Sequence, residues 1–121
     1  DGLQCIRSIR ERFDGQKRNP FDEPECGHHY ARAMISWAAI PALSGFHYSG
    51  VDQSMSFTSQ KGNYFWSNGS AWGTCMVDGN HAELKVLYGK IILKRFTIEG
   101  IGTKKFKDEV IAESQKLMVD I

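Results

Sequence analysis

The sequence predicts an α+β fold, in which a helical part, residues 1–45, precedes a small antiparallel β module, residues 54–121. Three observations predict it. Apolar residues recur near the helical period in the first part, the period changes to two from about Ser54, and glycine-containing turns divide the second part into short segments. The 121 residues, 41% of them hydrophobic, are enough for one ordinary domain and too few for two full ones.

The composition excludes several classes of protein. Fifteen Lys and Arg residues against fourteen Asp and Glu residues leave a net charge of +1, so no electrostatic field favours nucleic acid. No apolar stretch reaches the roughly 20 residues that span a bilayer, and no signal peptide is recognisable, so we expect a soluble chain of undetermined compartment. Three scattered cysteines do not indicate a disulfide framework. Because the chain begins at Asp1 within a predicted helix, we expect a piece of a longer protein.

The first predicted helix is amphipathic and ends at Asp14-Gly15, where glycine accepts the left-handed backbone that terminates helices. Its apolar positions follow the helical period: Leu3, Ile6, Ile9 and Phe13. A polar loop follows, and Pro24 lies near the start of a second helix, from about Glu25 to Ser44.

The second predicted helix is apolar nearly all round. From Tyr30 to Leu43 its only charged residue is Arg32, so neighbours must cover it on nearly every side. The sequence therefore predicts either docking into a larger helical body or self-association. Pro41 is expected to shorten or kink the last turn, and Gly45 to end the helix.

The second part carries the turn signals of a β meander. Asn68-Gly69 between two alternating segments predicts a hairpin, and Asp78-Gly79-Asn80, Gly89 and Glu99–Gly102 separate the later strands. The C-terminal tail fits either a helix or a strand, and the alternation of Leu117, Val119 and Ile121 favours a strand. The one predicted linker is residues 46–53.

One polar stripe interrupts the apolar helix. Glu25, His29, Arg32 and Ser36 fall within about 60° of one another, and Asp22 and Glu23 come just before the helix. A carboxylate, guanidinium and imidazole grouped at a helix start suit a hydroxyl-rich ligand. The alternative interpretation, more common for such groups, is a structural ion pair between Arg32 and an acidic neighbour.

Other candidate sites are weaker. Cys26, His28 and His29 do not have the spacing of a metal site, and no third group orients Cys26 as a nucleophile, so we expect neither a metal nor a cofactor. His47 and His81 are isolated. A row of aromatic residues could stack on sugars or bases, although aromatic residues beside a hairpin turn are more often sheet core: Tyr64, Phe65, Trp66 and Trp72.

The polar segment resembles a known motif. Asn19-Pro20, Glu23-x-Glu25-Cys26-Gly27-x-His29-Tyr30-Ala31-Arg32-x-Met34 and Ser36-Trp37 resemble the last helical hairpin of the non-lysosomal glucosylceramidase and bile-acid β-glucosidase family, glycoside hydrolase family 116. The similarity is specific over about Arg18 to Gly45 and looser over residues 65–74 and 84–98. It implies retaining β-glycosidase chemistry without a metal, in an (α/α)6 barrel that residues 1–45 would complete.

The resemblance also implies roles for individual residues. Glu23 and Arg32 match the positions that hold the hydroxyls of the sugar at the cleavage point, and Glu25 and His29 would orient those two side chains. The role of His28 stays open. The family's nucleophile and acid/base lie upstream of this motif, so no catalytic residue is expected in this chain.

The sequence therefore predicts the C-terminal part of a β-glucosidase or glucosylceramidase-like hydrolase, inactive alone. Its expected partners are a glucoside substrate and the upstream part of the same polypeptide. Two alternatives remain. One is a carbohydrate-binding module that uses Trp66 and Trp72, and the other is a self-association domain with the apolar helix as its interface, through Met34, Ile35 and Trp37.

Overall fold

The computed structural model describes residues 1–17 and 38–121. Two compact units are distinguished, Asp1–Ile40 and Pro41–Ile121. The described helices are α1 (Gly2–Arg10) and α2 (Ala39–Ser44). The described strands are β1 (His47–Ser49), β2 (Ser54–Phe57), β3 (Gly62–Ser67), β4 (Trp72–Asp78), β5 (His81–Tyr88), β6 (Lys90–Ile98), β7 (Gly102–Ala112) and β8 (Lys116–Asp120).

The second unit is built from two four-stranded sheets, one in the order β1-β2-β6-β7 and the other in the order β3-β4-β5-β8. Every pairing is antiparallel except that of β2 with β6, which is parallel. Buried side chains from both sheets form one core, so the unit is a two-layer β-sandwich. The fully buried members include Met55, Phe57, Trp66, Cys75, Val77, Leu84, Val86, Leu93, Phe96 and Ile98.

The predicted fold class is therefore wrong. The described residues are mostly β-sheet, and they do not form the helical hairpin of an (α/α)6 barrel followed by a small antiparallel module. The sheets contain eight strands with a core of their own, and the parallel β2–β6 pair makes one of them mixed. The physical cause is that the segments with a period of two bury alternate side chains of two sheets in one shared core, so that they form a sandwich and not a small appended sheet.

Alternation explains why these segments are strands. On β4, Cys75 and Val77 face the core while Thr74 and Met76 face outward. β6 breaks this rule once, because Lys94 and Arg95 are both exposed between the buried Leu93 and Phe96. The register shifts there, and the N–H groups of both exposed residues donate to the carbonyl oxygen of Gln53, at 2.7 and 3.3 Å. This irregularity keeps four of the five apolar side chains of β6 buried, namely Ile91, Leu93, Phe96 and Ile98.

The hairpin predicted at Asn68-Gly69 is confirmed, because β3 and β4 pair antiparallel on either side of it. The Oδ1 of Asn68 accepts hydrogen bonds from the backbone N–H of Ser70 and of Ala71, at 3.1 and 2.8 Å. Gly69 has a φ of 90°, which suits a glycine. The tail is also a strand, as predicted, since β8 pairs with β5.

The helical predictions are tested only in part. α1 covers the start of the first predicted helix, and the side chain of Asp14 closes the turn after it by accepting from the N–H groups of Gln16 and Lys17. These hydrogen bonds lower the pKa of the Asp14 carboxyl.

Gly45, with a φ of 60°, follows α2 and ends it as predicted. Of the second predicted helix, the part before residue 38 lies outside the described residues, and the predicted linker 46–53 contains β1.

Candidate functional site

The polar stripe predicted from the sequence lies outside the described residues. This applies to the proposed sugar contacts Glu23 and Arg32 and to Glu25 and His29, and it applies equally to Cys26, His28 and the apolar positions Met34, Ile35 and Trp37. Their roles therefore stay predictions. The site described below lies elsewhere, on the β-sandwich.

The four aromatic residues near the hairpin lie on two different faces of their sheet. Trp66 is only 1% exposed, and Tyr64 packs against the same core. Phe65 and Trp72 point to the outer face, where they are 50% and 42% exposed. The sheet-core interpretation thus holds for Tyr64 and Trp66. Because Trp66 and Trp72 are on opposite faces, they do not form one binding surface.

A different set of three aromatic side chains forms a continuous row on the outer face of the β3-β4-β5-β8 sheet. This aromatic row consists of Phe65 on β3, Trp72 on β4 and Tyr88 on β5. The ring centroids of Phe65 and Trp72 lie 6.3 Å apart, and those of Trp72 and Tyr88 lie 6.4 Å apart at an interplanar angle of 18°. Tyr88 is 57% exposed, so each ring leaves about half of its surface open to solvent.

A β-bulge brings Tyr88 into the row. Trp72 pairs with Tyr88, while the next residue, Gly73, pairs with Val86, so Leu87 is an extra residue in β5. Without it, the alternation that buries Leu84 and Val86 would turn the Tyr88 side chain inward as well.

Gly73 makes the bulge sterically feasible. A Cβ atom at this position would lie 1.9 Å from the carbonyl oxygen of Lys85, well inside contact distance. It would also lie 3.0 Å from the indole of Trp66. Only glycine therefore allows β4 and β5 to approach this closely beside the aromatic row.

The charged groups on and beside this face are of both signs. Four lysines, Lys61, Lys85, Lys104 and Lys116, accompany three carboxylates, Asp78, Glu83 and Asp120. Lys61 Nζ lies 2.7 Å from Asp78, and Lys116 Nζ lies 2.9 Å from Glu83. His81 Nδ1 contacts Asp120 at the same end of the sheet. Two of the four lysines are thus already paired with carboxylates.

The other sheet carries a shallow polar cleft of about 310 Å³ on its outer face. Hydroxyl groups dominate its lining, and those of Thr97 and Thr103 are hydrogen-bonded at 2.9 Å. Arg95 lies at the cleft and is 3.9 Å from Asp52. His47, which the sequence left isolated, also lines it. The cleft thus brings together hydroxyl groups, an arginine that is paired with Asp52, and the carboxylate of Glu99.

The described part of the chain contains no cluster of metal ligands, and its two cysteines differ in exposure. No group of three or more His, Cys, Asp or Glu side chains there could hold a metal ion. Cys75 is buried in the core, and burial raises the pKa of its thiol to about 12, so it stays protonated and is not a nucleophile near neutral pH. Cys5 is exposed and free.

Comparison of the sequence with models of known protein families and with curated proteins gave no match. The described helices, α1 and α2, include none with the length and hydropathy of a membrane span.

Proposed function

We propose that this chain supplies sugar-binding residues to a retaining β-glucosidase or glucosylceramidase-like glycoside hydrolase whose catalytic carboxylates lie in another part of the protein. The observation that carries this proposal is the motif from Asn19 to Trp37, in which Glu23 and Arg32 match sugar-holding positions. The β-sandwich is then an appended module without catalytic groups of its own.

The surface of α1 supports a role within a larger protein. None of its residues is buried, and its apolar side chains Leu3 and Ile9 are both more than half exposed. An amphipathic helix gains most of its stability by packing its apolar face against another element. Exposed apolar residues on α1 therefore suit a segment that packs against a further part of the protein.

The chemistry of the motif suits a sugar ligand. A glutamate carboxylate, as at Glu23, can accept hydrogen bonds from two hydroxyl groups, and an arginine guanidinium, as at Arg32, can donate from a fixed fork. Together they would hold the glycone with its anomeric carbon next to the catalytic carboxylates. Binding energy would then be used to orient the sugar for the reaction. Glu25 and His29 would fix the rotamers of these two side chains.

The substitution Arg32→Ala tests the proposal in the intact enzyme that contains this chain. We expect kcat/KM for an aryl β-glucoside to fall at least about tenfold, which corresponds to losing roughly 1.4 kcal/mol of transition-state stabilisation. The thermal unfolding midpoint should change little, because the residue is proposed to contact substrate.

The control is Arg7→Ala, which removes an exposed arginine from α1 and should leave the kinetics unchanged. Wild-type kinetics in the Arg32→Ala enzyme would contradict the assignment. Hydrolysis of the glucoside by the isolated 121-residue chain would contradict the proposal that the catalytic carboxylates lie elsewhere.

A further inference from the structure

The aromatic row is not used by the proposed hydrolase site, which involves Glu23 and Arg32. Its three rings are half exposed on the outer face of the sheet, whereas Trp66, Phe57 and Phe96 are fully buried and the remaining aromatic side chains of the sandwich pack against the same core. Exposed aromatic rings cost free energy in water, so a continuous row of them indicates a surface that contacts something.

The size of the row argues against a protein partner. A fully buried aromatic side chain covers about 150–250 Å², so three half-exposed rings offer roughly 300 Å². A stable interface between two copies of the chain needs about 800 Å² from each partner. The inserted Leu87, 37% exposed, adds some apolar surface beside Tyr88, and the polar residues Thr74 and Lys85 separate the row from the exposed Met76 and Met118 further along the sheet. The row therefore fits a small ligand.

The charge around the row identifies the kind of ligand. Nucleic acids and other polyanions need cations that neutralise their phosphates, and here Lys61 and Lys116 are already paired with the carboxylates of Asp78 and Glu83. The ligand must accordingly be neutral, with apolar surface for the rings and polar groups for the surrounding hydroxyl and amine donors. A pyranose whose hydroxyls are all equatorial has these properties, since both of its faces consist of C–H groups.

We propose that the aromatic row of Phe65, Trp72 and Tyr88 is a binding site for neutral oligosaccharides built from all-equatorial pyranoses, such as β-linked glucans. Successive sugar rings contact the open halves of the Trp72 and Tyr88 rings, and Phe65 extends the surface across β3. Ser67, which pairs with Trp72, and Lys85 supply donors for the sugar hydroxyls at the edge of the row.

The test is isothermal titration calorimetry, in which cellohexaose is titrated into the 121-residue chain. We expect saturable binding, together with a change in tryptophan fluorescence. Trp72→Ala and Tyr88→Ala should each weaken the affinity about fivefold or more, the loss expected when one stacking partner is removed. Tyr88→Phe keeps the ring and should keep most of the affinity.

Met118→Ala is the matched control. Met118 lies on the same outer face, on β8, and is as exposed as Tyr88, but it is not part of the row. This variant should bind cellohexaose like the wild type. Far-UV circular dichroism of every variant shows whether the sandwich is intact.

The result that would overturn the proposal is equal loss of affinity in Met118→Ala and Trp72→Ala, or no binding of cellohexaose at millimolar concentration. Tighter binding of oligo(dT) than of cellohexaose at physiological salt would point to nucleic acid instead. A dimer in sedimentation experiments that Trp72→Ala dissociates would show that a second copy is the occupant. Arg32→Ala should leave cellohexaose binding unchanged, so this proposal and the hydrolase proposal can fail separately.

Discussion

The thiol of Cys75 lies in the core between the two sheets, and its burial makes stability depend on alkaline pH. Burial raises its pKa from an ordinary 9.0 to about 12. Above pH 9 the unfolded chain therefore releases a proton that the folded chain retains. The free energy of unfolding must then decrease as the pH rises from about 9 toward 12.

We predict that the wild-type chain loses about 1 kcal/mol more stability between pH 8 and pH 10 than Cys75→Ala does. Urea unfolding at the two pH values measures this difference. Cys5→Ala is the control, because Cys5 is already exposed in the folded protein, and it should show the wild-type pH dependence. Identical pH dependence in Cys75→Ala and the wild type would contradict the prediction.

At the scale of single elements, Gly73 permits the bulge that turns Tyr88 outward. A methyl group at this position would collide with the Lys85 carbonyl oxygen, a backbone atom that cannot move aside without disturbing the β4–β5 pairing. We predict that Gly73→Ala destabilises the chain by about 3 kcal/mol in urea unfolding, the upper part of the range for overpacked cores.

The control for Gly73→Ala is Gly50→Ala. A Cβ atom at Gly50 would meet only the Tyr48 ring, at an ordinary 3.6 Å, so its effect should stay within about 0.5 kcal/mol. Equal stability of the two variants would show that the approach of β4 to β5 does not require glycine.

The same bulge limits what sequence patterns reveal about the candidate site. Asn68-Gly69 predicts the hairpin correctly, and adjacent aromatics such as Phe65 and Trp66 must face opposite sides of a strand. The pattern does not say which of the two is buried. Strict alternation counted from Leu84 and Val86 places Tyr88 inside, and the inserted Leu87 reverses that assignment. A bulge depends on how two strands pair, and the hydrophobic pattern of one strand gives no information about its partner.

At the scale of the whole molecule, the later strands were predictable and the fold class was not. Turns at Asp78–Asn80, Gly89 and Glu99–Gly102 separate β4 through β7 as expected. β1 lies within the predicted linker, residues 46–53, and β2 begins where the predicted β module begins. The place of β2 in the sandwich is decided by its pairing with β6, a contact between distant segments that local patterns do not encode, and β1 pairs with β2.

We predict that residues 41–121 fold on their own. Their core includes buried side chains from both sheets, and every described strand lies within this range. A chain of these residues should show a β-type circular dichroism spectrum and a cooperative urea transition. Leu84→Ala, at a position that is completely buried, should lower its stability by about 2–5 kcal/mol. A non-cooperative transition in the unsubstituted fragment would contradict the prediction.

The parallel pairing of β2 with β6 has a consequence for the order of events during folding. Ser54 pairs with Arg95 far along the chain, whereas β3, β4 and β5 are joined by short turns. Forming the distant pair requires closing a long loop, whose entropic cost precedes any gain from contacts. We expect the β3–β4–β5 meander to form early and β2 to join late. Until β2 joins the sheet, the side chains of Met55 and Phe57 are exposed to water. We therefore expect aggregation to compete most strongly with folding at this stage.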